Sequence, residues 1–223
     1  LARHGDPGLG TFNGLDGEMI ALDGRFYQIK TDGKAYAVKP DMKTPFSVMT
    51  FFDADKTLAL PAGLSFTEMA ALLDKHVASP NNFQAFRIDG AFAGLKVRSV
   101  PFQTRPYKAL AEVVKDQAVF ERANIKGTLV GFRTPDYVAG LNVPGYHFHF
   151  LSEDRAFGGH VAENQGILRR RPDGRTQGPI AKSGKREITW GGLSLRRPVN
   201  DDILLSSMFS GFFEGEILCG NFL

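Results

Sequence analysis

Cysteine is almost missing from this chain of 223 residues, with Cys219 as the single one. That excludes an internal disulfide framework and any multi-cysteine metal site, and makes a reducing, cytoplasmic compartment the simplest expectation. No apolar run approaches the roughly 18 residues that a membrane span requires, so no membrane partner is expected. The opening LARHGDPGLG lacks the apolar stretch of a secretory signal, although the chain begins with Leu rather than Met. Neither sign of charge dominates, with 27 basic and 24 acidic residues. The balance is uneven, however. Between Glu163 and Asn200 nine basic residues face three acidic ones, which leaves 18 against 21 elsewhere. The basic run ILRRRPDGRTQGPIAKSGKR contains no aromatic residue, whereas nucleic-acid readers interleave the two. A solvated loop is the plainer reading of that run, and nucleic acid is not expected as a partner.

What is present describes a globular chain. Hydrophobic residues make up 43% and charged residues 23%, enough apolar surface to offset the entropy of ordering. Residues 19–29 (MIALDGRFYQI) read as two short strands around an Asp-Gly turn. Further strands are expected at 35–39 and 46–52. Ser65 and Glu68 have capping-box spacing, and Phe66, Met69, Ala70, Leu73 and Val77 recur at helical intervals, so a helix is expected to run until Pro80 and Asn81 stop it. Residues 84–88 and 92–100 alternate and read as strands paired across Asp89-Gly90. A second, shorter helix is expected over 108–120, then strands at 127–133 and 145–151. This order predicts a mixed α/β or α+β protein built on sheets, not a doubly wound parallel sheet. After residue 165 strand patterning weakens, although 201–213 return to apolar content.

Three of the five histidines fall within fourteen residues, His147, His149 and His160, in GYHFHFLSEDRAFGGH. Residues i and i+2 of a strand project to one face, with Cα atoms roughly 6.6 Å apart. Two imidazoles so placed can grip one metal ion. The turn Ser152–Gly159 would bring His160 alongside from the neighbouring strand of a hairpin. Three neutral nitrogens with an open position describe a catalytic zinc site, or sometimes iron, manganese or copper. The blander reading is two half-buried strand histidines and one at the surface. Phe148 and Phe150 point the other way, so both faces are expected to be covered, and burying two imidazoles without a shared partner is costly. Other candidates are Thr11 and Glu18 in TFNGLDGE, where Asp16-Gly17 more blandly reads as a turn and Glu18 as an exposed strand start. Arg98, in LKVRSV, is either half-buried and paired or solvent-facing.

The segments HGDPGLGTFNGLDGEMI, TPFSVMTFF, FRIDGAF, KVRSV with Pro106-Tyr107, and GTLVGFRTPDYVAGLNVPGYHFHFLSEDRAFGGHV together resemble acetolactate decarboxylase, from about His4 to Val161. The resemblance implies a metal-dependent lyase, usually with zinc, that converts 2-acetolactate to acetoin and carbon dioxide and is commonly a homodimer. It implies a mixed α/β chain of two sheet-based parts, placed here at 1–120 and 121–223, the second with a divergent tail from about residue 163. It places the metal on His147, His149 and His160, the active-site glutamate on Glu18, the active-site arginine on Arg98, and the pocket threonine on Thr11. The family continues into a tail bearing another active-site glutamate, for which Glu214 or Glu216 would have to stand. Two competing readings remain. One is a cupin-like oxygenase or isomerase that ligates through His147, His149 and Glu153. The other is a non-catalytic, metal-stabilised binding protein.

Overall fold

A computed structural model describes residues 3–77, 79–140 and 142–162, and the backbone of 180–184, 188–190 and 193–195. The tail glutamates Glu214 and Glu216, the apolar stretch 201–213 and Cys219 lie outside the described residues. The described chain forms two antiparallel sheets and one substantial helix, so β-structure predominates. The strands are β1 (Gly8–Thr11), β2 (Glu18–Leu22), β3 (Arg25–Ile29), β4 (Ala35–Ala37), β5 (Phe46–Thr50) and β6 (Lys56–Ala59). Helix α1 (Phe66–Asp74) follows, then β7 (Gln84–Ser99), the single turn α2 (Leu110–Val113), β8 (Ala118–Thr134), β9 (Gly145–Ser152) and β10 (Gly158–Val161). Three further strands, β11 (Ile180–Gly184), β12 (Ile188–Trp190) and β13 (Leu193–Leu195), lie in the stretch where the sequence pattern assigns none.

The first sheet has the order β13-β12-β5-β1-β2-β3-β4, and the second β10-β9-β8-β7-β11-β6. The second sheet also curls until β10 pairs with the far end of β7. Ile20, Leu22 and Ile29 of the first sheet pack on Val130 and Leu151 of the second. The opposite face of the second sheet, with Phe86, Ile88, Phe148 and Phe150, is covered by Phe66, Met69 and Leu73 of α1. The molecule is therefore layered sheet, sheet, helix, and both faces of β9 are buried as the alternating aromatics predict. The division expected at residue 120 falls within β8.

Several local expectations hold. Asp23 and Gly24 both adopt positive φ, 53° and 72°, the geometry that a two-residue hairpin turn requires between β2 and β3. The capping box is complete: Glu68 N donates to Ser65 Oγ at 3.2 Å, and Ser65 N donates to Glu68 Oε2 at 2.7 Å.

Other expectations are corrected. α1 ends at Asp74 rather than near Pro80. There the carboxylate takes Arg133 Nε and the Tyr146 hydroxyl, each at 2.9 Å. His76 N and Val77 N then close tighter three-residue turns on Leu73 O and Asp74 O. Asp89-Gly90 makes no turn. β7 runs straight through it, with Asp89 opposite Thr128 and Gly90 opposite Gly127. The Asp89 carboxylate is engaged by Arg87 Nε at 2.9 Å and by the Thr128 hydroxyl at 2.7 Å, which favours extended backbone over the positive φ a turn would need. The helix expected over 108–120 shrinks to α2 and a 3-10 turn, Val114–Asp116, because Ala118–Phe120 pair with Val97–Ser99.

Replacing Ser65 with Ala is expected to cost about 1 kcal/mol, seen as a fall of roughly 2–4 °C in Tm. Adding Glu68→Ala should cost little more, because the two caps are one reciprocal unit. Thermal unfolding of both variants checks this.

Candidate metal centre

Strand register assembles the centre. In the β9–β10 hairpin His160 lies opposite His149, and on the other edge of β10 the same His160 lies opposite Arg98. Directly opposed residues share a face, with Cβ atoms about 4.5–5.5 Å apart. His147 shares it too, two residues before His149 on β9. Three imidazoles and one guanidinium therefore form a patch across three strands. His147 Nε2 lies 3.1 Å from His149 Nε2 and 2.9 Å from His160 Nδ1. His149 is buried, whereas His147 and His160 are half-buried and mark the side that solvent reaches.

Glu18 enters from the first sheet. As the first residue of β2 it is buried, and its Oε2 lies 3.5 Å from His149 Nε2. Gly17 makes this entry possible: its φ is 78°, and a Cβ there would strike the Ile29 carbonyl oxygen. Thr11 stands across the ladder from Glu18 and donates its hydroxyl proton to Gly17 O at 2.7 Å. Gln28 Nε2 donates to Asp16 O and Oδ2 at 2.6 and 2.8 Å. Asp16-Gly17 is thus the turn expected, and Glu18 is a strand start, but a buried one.

Two bonds bridge the sheets at this point. His149 Nδ1 donates to Met19 O at 2.9 Å, and the buried Ser99 hydroxyl donates to Ile29 O at 2.8 Å. Ile29 is the cross-strand partner of Glu18, and Ser99 follows Arg98. Arg98 is half-buried, with Nη1 donating to Gln117 Oε1 at 2.8 Å and Nη2 lying 3.1 Å from His160 Nε2. Ser99 and Gln117 escaped the sequence reading. Gln117 sits two residues before Val119, the partner of Arg98, a relation that exists only once the register is known.

The donor set fits a cation. A carbonyl only accepts, so His149 carries its proton on Nδ1 and presents a lone pair at Nε2. A guanidinium only donates, so His160 accepts at Nε2 and carries its proton on Nδ1. His147 Nε2 then faces a lone pair on one neighbour and an N–H on the other. Either of its neutral tautomers leaves one mismatched contact; a shared positive ion would remove it with His160 in its other tautomer, which gives up the Arg98–His160 contact. The spacing suits the same purpose, since a tetrahedral site with Zn–N of about 2.0–2.1 Å separates its nitrogens by about 3.3 Å. Among the described residues the metal-competent group has three members, His147, His149 and His160, with ligand atoms within 4.8 Å of one another. Glu153 is exposed in the β9–β10 turn and is not among them, which removes the ligand that the cupin-like reading needs.

Burial sets the protonation of the metal-free centre. It pushes the His147 imidazole down to about 4 and the His149 and His160 imidazoles well below their usual value, with the charge of Arg98 acting in the same direction. It raises the Glu18 carboxyl to about 7, against a smaller opposing pull from Arg98. Below about pH 6.5 the unfolded chain protonates its histidines while the folded chain resists, so their contribution to stability is lost as pH falls. Glu18 works the other way. The folded state keeps its proton where the unfolded state has lost it, so its contribution is lost as pH rises from about 4.5 to about 7. Three imidazoles outweigh one carboxyl. Metal-free protein should therefore show a lower Tm at about pH 5 than at about pH 7, and Glu18→Gln should make that fall steeper. Separately, Ser99→Ala should cost about 1 kcal/mol by removing the inter-sheet hydrogen bond to the Ile29 carbonyl, read by denaturant unfolding.

The sequence model of the family described as alpha-acetolactate decarboxylase matches residues 1–168. The chain is 54% identical over 163 residues to alpha-acetolactate decarboxylase of Methanosarcina mazei, covering 73% of this chain and 57% of that protein. It is 48% identical over 165 residues to the Klebsiella aerogenes enzyme, covering 74% and 64%. It thus spans less than two thirds of the length of these curated relatives. The crystal structure of alpha-acetolactate decarboxylase from Bacillus subtilis superposes with a TM-score of 0.75 at 38% identity, covering 82% of this chain and 74% of that one. A Staphylococcus aureus protein titled as being of unknown function and similar to alpha-acetolactate decarboxylase superposes equally well, at 33% identity. With the histidine cluster in place and three quarters of its length matched, this chain belongs to the alpha-acetolactate decarboxylase family.

Proposed function

We propose that this protein decarboxylates 2-acetolactate to acetoin and carbon dioxide, using a divalent metal, zinc, held by His147, His149 and His160. The observation that carries the reading is the three-histidine group with a buried carboxyl on one side and a half-buried guanidinium on the other. Family membership supplies the substrate. On the same resemblance the enzyme is a homodimer, and the single cysteine favours a reducing, cytoplasmic compartment.

A β-keto acid already has an electron sink beside its leaving carboxylate, so neither pyridoxal nor thiamine chemistry is required. The bond from the carboxylate carbon to the carbinol carbon breaks, and its electron pair moves toward the ketone oxygen to give an enediolate. The chemistry a zinc ion supplies when bound is Lewis-acid stabilisation of the negative charge developing on the substrate's hydroxyl and ketone oxygens. Arg98 holds the departing carboxylate or steadies the enediolate as a fixed cation. Glu18, whose carboxyl pKa is raised by burial in the metal-free centre, delivers a proton to one face of the enediolate carbon and so sets the configuration of acetoin. Water then reprotonates it. Thr11 lines the same corner, opposite Glu18.

The direct test is to incubate the protein with racemic acetolactate, with and without a chelator, and assay acetoin. Acetoin is expected only without chelator, and its absence in metal-replete protein would refute the reading. His147→Ala should lose metal and activity together. Arg98→Ala should retain metal and lose about 100-fold or more in kcat/KM, the scale of a removed charge-stabilising donor. Metal analysis alongside the assay separates the two variants.

A further inference from the structure

Among the described residues, most of the better-buried cations are answered by carboxylates. Arg87 has Asp89 at 2.9 Å, Arg133 has Asp74 at 2.9 Å, and Lys96 has Glu121 at 3.2 Å. Arg98 differs. Among the described residues no carboxylate lies within ion-pair distance of it, and both of its side-chain contacts are neutral acceptors, Gln117 Oε1 and His160 Nε2. A primary amide oxygen satisfies a guanidinium N–H and fixes its direction without cancelling its charge. A glutamate in the same place would satisfy the N–H equally well and cancel that charge.

We propose that Gln117 is a positioning residue that aims Arg98 at the carboxylate of a 2-hydroxy acid while leaving the guanidinium charge free to bind it. This rests on the decarboxylase reading of the same site. Gln117 stands just before β8, in extended backbone at the end of the 3-10 turn and two residues before Val119, the partner of Arg98, so the register of β7 and β8 brings it within reach of the guanidinium. Its importance grows when the histidines hold a cation. His160 coordinating through Nδ1 carries its proton on Nε2 and no longer accepts from Arg98, and Gln117 is then the remaining anchor seen here. Arg98 has five N–H donors, of which these contacts use at most two, so donors remain for a carboxylate at the metal.

The test measures binding, not turnover. Metal-loaded wild type, Q117E and Q117M are titrated by calorimetry with 2-hydroxyisobutyrate and with its neutral amide, and metal content is measured on each sample. Wild type is expected to bind the acid more tightly than the amide. Q117E should weaken the acid at least about tenfold and leave the amide and the metal content unchanged. Q117M, which loses the aim but keeps the charge free, should fall between wild type and Q117E. Q117E binding the acid as wild type does would overturn the proposal, as would equal losses for acid and amide. Should Q117E fail to fold, Q117M decides: loss confined to the acid supports the proposal, and no loss overturns it. Wild type that binds the acid yet makes no acetoin would refute the decarboxylase reading and leave this inference standing. Wild type that prefers the amide would refute this inference alone.

Discussion

The centre depends on one short strand, β10, being hydrogen-bonded on both edges near His160. One edge pairs His160 with His149 and the other pairs it with Arg98. A slip of one residue on either side would turn the imidazole to the opposite face. The close approach is possible because Gly159 precedes His160, with φ of 150°; a Cβ there would lie 2.7 Å from the Arg98 carbonyl oxygen. The curl of the second sheet and the site are consequently one structural event.

The first sheet completes what the second begins. It brings Glu18 against the histidines and accepts two hydrogen bonds from the second sheet, at Met19 O and Ile29 O. The bond to Met19 does more than join layers, since it holds the His149 proton on the outer nitrogen and turns the inner lone pair toward the cluster, as partners of metal-binding histidines commonly do. Desolvation then acts on every group in the site with opposite results. In the metal-free centre bases are kept neutral and available as ligands, and the Glu18 carboxyl is drawn toward its protonated form. Among the described residues Arg98 has no carboxylate within ion-pair distance and only neutral side-chain acceptors, so its guanidinium faces the cluster as an attraction for an anion.

Much of this was legible in the residues. The His-x-His spacing in an alternating strand, with a turn of plausible length before His160, described both the hairpin and the convergence of imidazoles. The capping box around Ser65 and the Asp23-Gly24 turn were local signals backed by local geometry. Asp89-Gly90 carried the same turn signal and failed, because fifteen residues of pairing along β7 and β8 outweigh a dipeptide preference. Residues 108–120 had helical spacing, yet the demand for a partner opposite Val97–Ser99 drew their last part into β8. Family resemblance gave Glu18 and Arg98 their roles, whereas spacing alone read Glu18 as an exposed strand start and left Arg98 either half-buried and paired or solvent-facing.

The amino-acid order by itself determined the periodicities, the caps, the tight turns and which residues could act as metal ligands, because each of these depends on neighbours a few positions away. Only the tertiary structure decided that Arg98 lies beside His160, that Ser99 ties it to the strand opposite Glu18, and that Gln117 holds it without neutralising it. Those relations join residues from 19 to 70 positions apart. They are set by sheet curl and strand register, which arise from the packing of whole layers and leave no local trace in the chain.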